Sequence, residues 1–249
     1  MSIQRRATSL LFYLIAASYP ALAIQVTVPM HDTPPIIDGK ISPEERKAAA
    51  AMDMTKIGAL EKPRYPTQVY TMATVDGIYF AFDVTEPDMD TLVTSTTQNN
   101  GAVFQDDSVQ VLLTPTLDTS PDNYFHFAVN PEGIYYSNDL STGEFVTDWK
   151  TAVTKTGVGW QAEFFIPLTA IRAPYELPHW RANFARVRPA RAGQPEEISA
   201  WVNSGISLHN YKRFGYLTTP RFVGPTPESN KEFTTAPVEI ISTAPRTLN

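Results

Sequence analysis

The sequence predicts an all-β fold, an antiparallel sandwich or barrel with one short helix near its N-terminus. Short runs of alternating apolar and polar residues recur along the chain, which is the period of a half-buried strand. Between them lie clusters of Pro, Asn, Asp and Gly, with no ten-residue helical pattern to carry a crossover between parallel strands. Proline (21) outnumbers glycine (12), which suits short strands and stiff loops.

In chain order, residues 1–23 read as a secretory signal peptide. Arg5 and Arg6 give a positive start, Leu10 to Ala17 is apolar, and Ala21-Leu22-Ala23 is a small-x-small cleavage pattern. The apolar run is too short to cross about 30 Å of hydrocarbon, so no stable membrane anchor is expected. Ile24 to Pro35 is an extended lead-in, and Ile36 to Lys40 is apolar before it turns. Ser42-Pro43-Glu44-Glu45 is a capping box with proline at the first helical position, so the helix starts at Ser42 and runs into the alanines from Ala48. Val69–Val75 and Ile78–Val84 flank Asp76-Gly77, a two-residue hairpin signal. Further strands are expected at Ser108–Leu113, Tyr124–Val129, Ile134–Tyr136, Trp149–Thr154, Trp160–Ile166, Ala182–Val187 and Phe214–Leu217. The division that follows is a signal peptide over 1–23, one β domain over 24–219, and a Pro/Thr-rich tail over 220–249 with one candidate strand at Val238–Ile241. The expected location is periplasmic or extracellular.

Composition narrows the function. Among 249 residues, 43% are apolar and 18% charged, enough to fill a core. A formal charge of -6 argues against general nucleic-acid binding, which needs clustered Lys and Arg. With no cysteine, disulfides, thiolate zinc, a Cys nucleophile and thioether-linked haem are excluded. Dinucleotide, phosphate-loop, zinc-protease and nucleophile-elbow motifs are absent as well.

Four groups of residues remain as candidates. His31, His126, His179 and His209 lie far apart in sequence and read as hydrogen-bonded side chains rather than metal ligands. Asp106-Asp107 and Glu163 supply carboxylates that, if convergent, would suit glycoside hydrolysis; the plainer expectation pairs Glu163 with Arg186 or Arg188. Asp83, Glu86, Asp88 and Asp90 are dense enough in oxygen to admit calcium, although a solvated acidic loop is the default. Arg181, Arg186, Arg188 and Arg191 form the basic concentration, read either as ion pairs or as part of a sugar-binding face, where rings stack on pyranoses and planar polar groups bind hydroxyls.

Several segments, taken in order over roughly residues 36–218, resemble the family 9 carbohydrate-binding modules and their wider superfamily. They are Ile37-Asp38-Gly39-Lys40, Asp76-Gly77-Ile78-Tyr79-Phe80-Ala81-Phe82, Gln105-Asp106-Asp107-Ser108-Val109-Gln110-Val111 and Phe127-Ala128-Val129-Asn130-Pro131-Glu132-Gly133. Gly159 to Pro167, Trp180 to Arg186, Ser199-Ala200-Trp201 and Arg213-Phe214-Gly215 complete the series. The resemblance implies a jelly-roll-like antiparallel β-sandwich that binds carbohydrate without cutting it and serves a polysaccharide-degrading enzyme.

It also implies departures at the site. Sugar-binding members clamp a terminal sugar between two tryptophans; Phe104 stands at the first position, and Leu208, His209 and Tyr211 are offered near the second. Gln110 stands where those members carry an acid, Ala128 where they carry an arginine, and Trp201 matches a tryptophan that suits the core. The expected sugar contacts are Phe104, Gln110, His126, Arg188 and Tyr211. Two rival readings are a haem-binding or electron-transfer sandwich, with axial ligands such as Met72, His126 or a lysine, and a glycoside hydrolase using Asp107 and Glu163.

Overall fold

A computed structural model describes residues 24–59, 61–115, 123–173, 179–191 and 193–219. The expected signal peptide, the tail and the strand at Val238–Ile241 lie outside the described residues. The helix α1 (Pro43–Ala48) begins as its sequence dictates. Ser42 Oγ accepts from Glu45 N, and the Glu45 carboxylate accepts from Ser42 N in return. The alanine run does not extend it, because the chain turns into a strand from Ala50.

The strands are β1 (Gln25–Thr27), β2 (Ala50–Asp53), β3 (Thr55–Lys56), β4 (Thr67–Ala73), β5 (Gly77–Thr85), β6 (Ser108–Thr114) and β7 (Phe125–Val129). They continue with β8 (Tyr135–Asp139), β9 (Glu144–Phe145), β10 (Lys150–Thr156), β11 (Gly159–Pro167), β12 (His179–Arg188), β13 (Glu197–Ala200) and β14 (Gly215–Thr218). One sheet runs β1-β14-β12-β6-β7-β8-β9, with β13 also on β12 and β3 on β13; the other runs β10-β11-β5-β4-β2. Pairing between these strands is antiparallel except at one edge, where the lead-in strand β1 lies parallel to β14. This edge departs from the wholly antiparallel expectation: a strand that enters from a long extended segment needs no hairpin to reach its partner.

Alternation decides what each face buries. Trp160, Ala162, Phe164 and Ile166 of β11 point into the sandwich, as do Phe80 and Phe82 of β5 and Ala182 and Phe184 of β12. Phe80 meets Phe184 across the two sheets with ring centroids 5.1 Å apart. Trp201 packs on Phe184 at 5.4 Å and belongs to this core. The outward face of the five-stranded sheet is covered too. Ile41 joins Met72, Tyr79, Ala81 and Phe165 there.

Glu163 ties that cover down. Its carboxylate is fully buried and accepts from Tyr79 OH (2.7 Å), Gly39 N (2.6 Å) and Asp38 N (3.0 Å). The expected pairing of Glu163 with Arg186 or Arg188 does not form, because those arginines belong to the other sheet. Burial pushes the Glu163 carboxyl up, against the three donors that hold its charge. Gly39 has φ +83°, and a Cβ there would meet Val153 C at 2.6 Å, which is why a glycine follows Asp38.

The β4–β5 turn is shifted by one residue from the sequence reading. Thr74 N bonds Gly77 O at 2.9 Å, so Val75 and Asp76 form the tip. Gly77 is required for another reason, since a Cβ would meet the Phe165 ring at 2.6 Å.

The acidic loop after β5 is not simply solvated. Glu86 is fully buried and binds Arg186 Nη2 (2.7 Å) and Arg188 Nε (2.8 Å), both from β12 of the opposite sheet. Burial alone would raise the Glu86 carboxyl, but the Arg188 hydrogen bond, the Asp88 amide and the Arg186 charge hold it below the usual carboxylate range. Arg191 extends the cluster to Asp107 at 2.5 Å, and the other Asp107 oxygen accepts from Val93 N at 2.8 Å. Removing Glu86 leaves buried guanidinium groups uncompensated. Glu86→Ala is expected to cost about 3–5 kcal/mol of stability. Urea denaturation checks it, and a loss near 0.5 kcal/mol, the size of an ordinary surface change, would count against the clasp.

Candidate functional site

The outward face of the larger sheet carries a polar and aromatic cluster. By alternation Gln110 of β6, His126 of β7 and Tyr136 of β8 all leave this face, opposite the core side. Phe104 arrives from the short 3-10 turn Val103–Gln105 just before β6, with Val103 buried as its anchor. His209 arrives from the loop between β13 and β14.

Hydrogen bonds fix the base of the cluster. Gln110 Nε2 donates to Phe104 O (3.2 Å) and Ser108 Oγ (3.1 Å), so Oε1 faces the His126 Nε2 at 2.9 Å. With the amide nitrogen committed, the imidazole donates from Nε2 and keeps Nδ1 as an acceptor. Burial, with a smaller contribution from His209, pushes the His126 pKa down to about 3, so the ring is neutral at physiological pH. The rings then interlock. Phe104 meets Tyr136 edge-on at 5.2 Å, Tyr136 meets His126 at 5.2 Å, and His126 meets His209 at 5.3 Å. Tyr124 OH lies 2.8 Å from His209 Nδ1.

Above this base opens a cavity of about 490 Å³, lined by Phe104, Gln110, Val187, Glu196, Ile198 and His209 among others. Of the expected contacts, Phe104 and Gln110 line it. His126 is 3% exposed and sits beneath, holding Gln110 in place. Tyr211 packs instead with Leu112, Tyr124 and Phe214. Arg188 is not brought to the site. Val187 lines the cavity, so its neighbour Arg188 leaves the opposite face, where Glu86 and Asp88 hold it and Tyr65 stacks beneath it at 5.1 Å. Of the three residues offered near the second clamp position, Leu208 and His209 line the cavity and Tyr211 does not. Tyr136 and Glu196 were not singled out. Tyr136 was legible from strand parity with His126; Glu196 arrives through loop geometry alone.

The rival chemistries do not assemble. Met72 packs on the outward face of the five-stranded sheet and His126 on that of the other, so the whole sandwich separates the two named axial ligands. Asp107 is spent on Arg191 and Val93, while Glu163 is spent on Tyr79 and the Asp38-Gly39 amides on the far outward face, so the two carboxylates share no substrate space. Asp83 pairs with Arg46 at 2.7 Å and Glu86 with the β12 arginines, which disperses the acidic loop. Among the described residues no three His, Cys, Asp or Glu side chains gather as metal ligands. The arrangement offers ring faces and hydrogen-bonding edges around a neutral floor, the chemistry of binding a polar, uncharged ligand.

No protein-family model matches the chain, and no curated protein sequence matches it significantly. Solved structures share the fold. A family 9 carbohydrate-binding module from Caldicellulosiruptor kristjanssonii in complex with cellotriose superposes with a TM-score of 0.60 at 16% identity, covering 78% of this chain and 93% of that one. The same organism's family 9 module in complex with glucose matches with TM-score 0.60 at 15% identity, over 79% of this chain and 95% of that one. A structure from Bacteroides uniformis, described as a candidate carbohydrate-binding protein, matches with TM-score 0.61 at 15% identity, over 80% of this chain and all of that one (100%). The chain therefore has the fold of the family 9 carbohydrate-binding modules.

Because His126 is held neutral, the folded state refuses a proton that the unfolded chain accepts below its ordinary value of 6.5. Its contribution to stability is complete above that value and is lost as pH falls from 6.5 toward 3, by up to about 1.4 kcal/mol per pH unit. His126→Gln is expected to flatten the stability profile relative to the unaltered protein between about pH 6.5 and 5, above the range in which ordinary carboxylates titrate. Denaturation of both proteins across that window measures the difference, and parallel profiles would contradict the neutral assignment.

Proposed function

We propose that the protein is an exported, non-catalytic carbohydrate-binding module that works alongside a polysaccharide-degrading enzyme. The observation that carries the reading is the cavity itself: a half-buried Phe104 ring and a His209 ring flank a space floored by the neutral Gln110–His126 pair. An apolar ring face stacks on the apolar face of a pyranose, and the edges around it meet hydroxyls. The shared fold with modules solved in complex with cellotriose and glucose supports the same ligand class. Export rests on the Arg5-Arg6, Leu10–Ala17 and Ala21-Leu22-Ala23 pattern, and it places the protein in the periplasm or outside the cell, where polysaccharide is degraded.

Phenylalanine and histidine offer smaller faces than two tryptophans would, so affinities in the upper micromolar to millimolar range are expected, about -4 to -6 kcal/mol. In calorimetry with glucose and cellotriose, Phe104→Ala should weaken binding about tenfold and Phe104→Trp should tighten it. Tm should move little, because Phe104 is half-buried on the surface of the sheet rather than in the core. Unchanged affinity in both variants would remove Phe104 from the site. No binding to a broad glycan panel would overturn the carbohydrate reading. Mass spectrometry of secreted material should find Ile24 as the first residue; an intact Arg5-Arg6 segment would refute export by this signal.

A further inference from the structure

The cavity is not equally polar on its two sides. Phe104, Gln110 and His209 gather at β6 and β7, while Ile57 and Ile198 lie beyond β12 at β3 and β13; Ile206, from the loop between β13 and β14, adds to the aliphatic lining. Ile57, in the turn that follows β3, and Ile198 of β13 are half-buried at the sheet margin, and Ile206 is fully exposed at 101%. Ile57 and Ile198 pack on a buried apolar cluster of Ala185, Val187, Ala200 and Leu208, of which Val187 and Leu208 also line the cavity. Ile57 and Ile198 are thus the open end of a packed core, held in place by the fold.

A bare pyranose fits only half of this space. Its hydroxyls ring the periphery, and those facing three isoleucines would lose water without gaining a partner. A fully exposed isoleucine at a cavity mouth is itself costly in water, and it gains only if an apolar group covers it. The charge on the rim points the same way. Glu196 is the one formally charged side chain in the described lining, and it would repel a carboxylate or sulfate substituent.

Resting on the carbohydrate-binding reading, we infer that the ligand is a sugar bearing an apolar alkyl, acyl or aryl substituent. The ring stacks on Phe104 and the substituent lies against Ile57, Ile198 and Ile206.

Calorimetric titration of the full chain with methyl and hexyl β-D-glucopyranoside, both below any micelle concentration, separates the two halves. The hexyl glucoside is expected to bind about tenfold or more tightly, since each methylene removed from water is worth roughly fourfold in affinity. Ile206→Ser should reduce that advantage severalfold and leave the methyl glucoside unaffected. Its side chain is fully exposed, so the fold does not depend on it. Ile198→Thr keeps a β-branched residue in β13 and should act in the same direction, while Phe104→Ala should weaken both ligands. Equal affinity for methyl and hexyl glucoside overturns the substituent inference and leaves the sugar site standing. A hexyl advantage untouched by both isoleucine variants also overturns it. Binding of neither glucoside overturns this inference, and the carbohydrate reading falls with it only if the glycan panel is also negative.

Discussion

The structure depends on one buried carboxylate. Glu86 leaves the end of β5 in the smaller sheet and meets Arg186 and Arg188 of β12 in the larger one, with Arg191 at 3.8 Å. A sandwich held only by apolar contact can slide, because the hydrophobic effect has no direction. Directed, charge-assisted bonds between sheets fix their relative register at one end. Arg186 also donates to Thr85 O and Tyr65 O at 2.9 and 3.1 Å, so the guanidinium binds the backbone around the carboxylate as well. The cluster reaches the site through Asp107. Arg191 holds Asp107, and the adjoining Asp106 accepts from the Ser95 and Thr96 amides and from Asn130. These bonds set the segment that leads into the Phe104 turn. The Phe104 ring that lines the cavity is therefore positioned by an ion-pair cluster on the other side of its own sheet.

Local chemistry made much of this fold legible. The Ser42–Glu45 box needed no tertiary information, since both of its bonds lie within one turn. The Trp160 strand declared its faces because a covered sheet buries every second residue on its core side. What depended on distant partners was not legible. β13 spans four residues and is a strand only because β12 and β3 flank it. Gly77 looked like half of a turn, yet its role is to let the Phe165 ring approach, a contact 88 positions away in the chain that no local window contains.

The site divides along the same line. Phe104 and Gln110 sit within one short segment and could be placed by resemblance. Glu196 comes from a loop whose path is set by β13, so nothing near it in sequence marks it, whereas His209 was offered by its place shortly before Phe214-Gly215. Arg188 was legible, and the structure places it apart from the cavity. It shares strand parity with Ala182 and Phe184, the inward residues of β12, and that parity alone sends it toward the sandwich interior. Reading it as a sugar contact followed its residue type, whereas a strand's alternation outranks type in deciding which face a side chain serves.

Glutamine at 110, where the resemblance led one to expect an acid, has a consequence that reaches beyond one hydrogen bond. A carboxylate at this 1% exposed position would have to be desolvated, and with His126 beside it the usual solution is a protonated imidazole and a buried ion pair. Glutamine and a neutral imidazole satisfy each other without charge, and the amide nitrogen is left to brace Phe104 O. The floor is consequently rigid, neutral and largely saturated, so little of it must reorganise when a ligand arrives. Under the proposed reading, recognition shifts from the floor to the walls, with hydrogen bonding at edge groups such as Glu196 and His209 and desolvation at Phe104 and the aliphatic lining. A neutral floor among ring faces and aliphatic side chains then favours ligands with two characters, because Gln110, already paired with His126 and Phe104 O, has little left to offer.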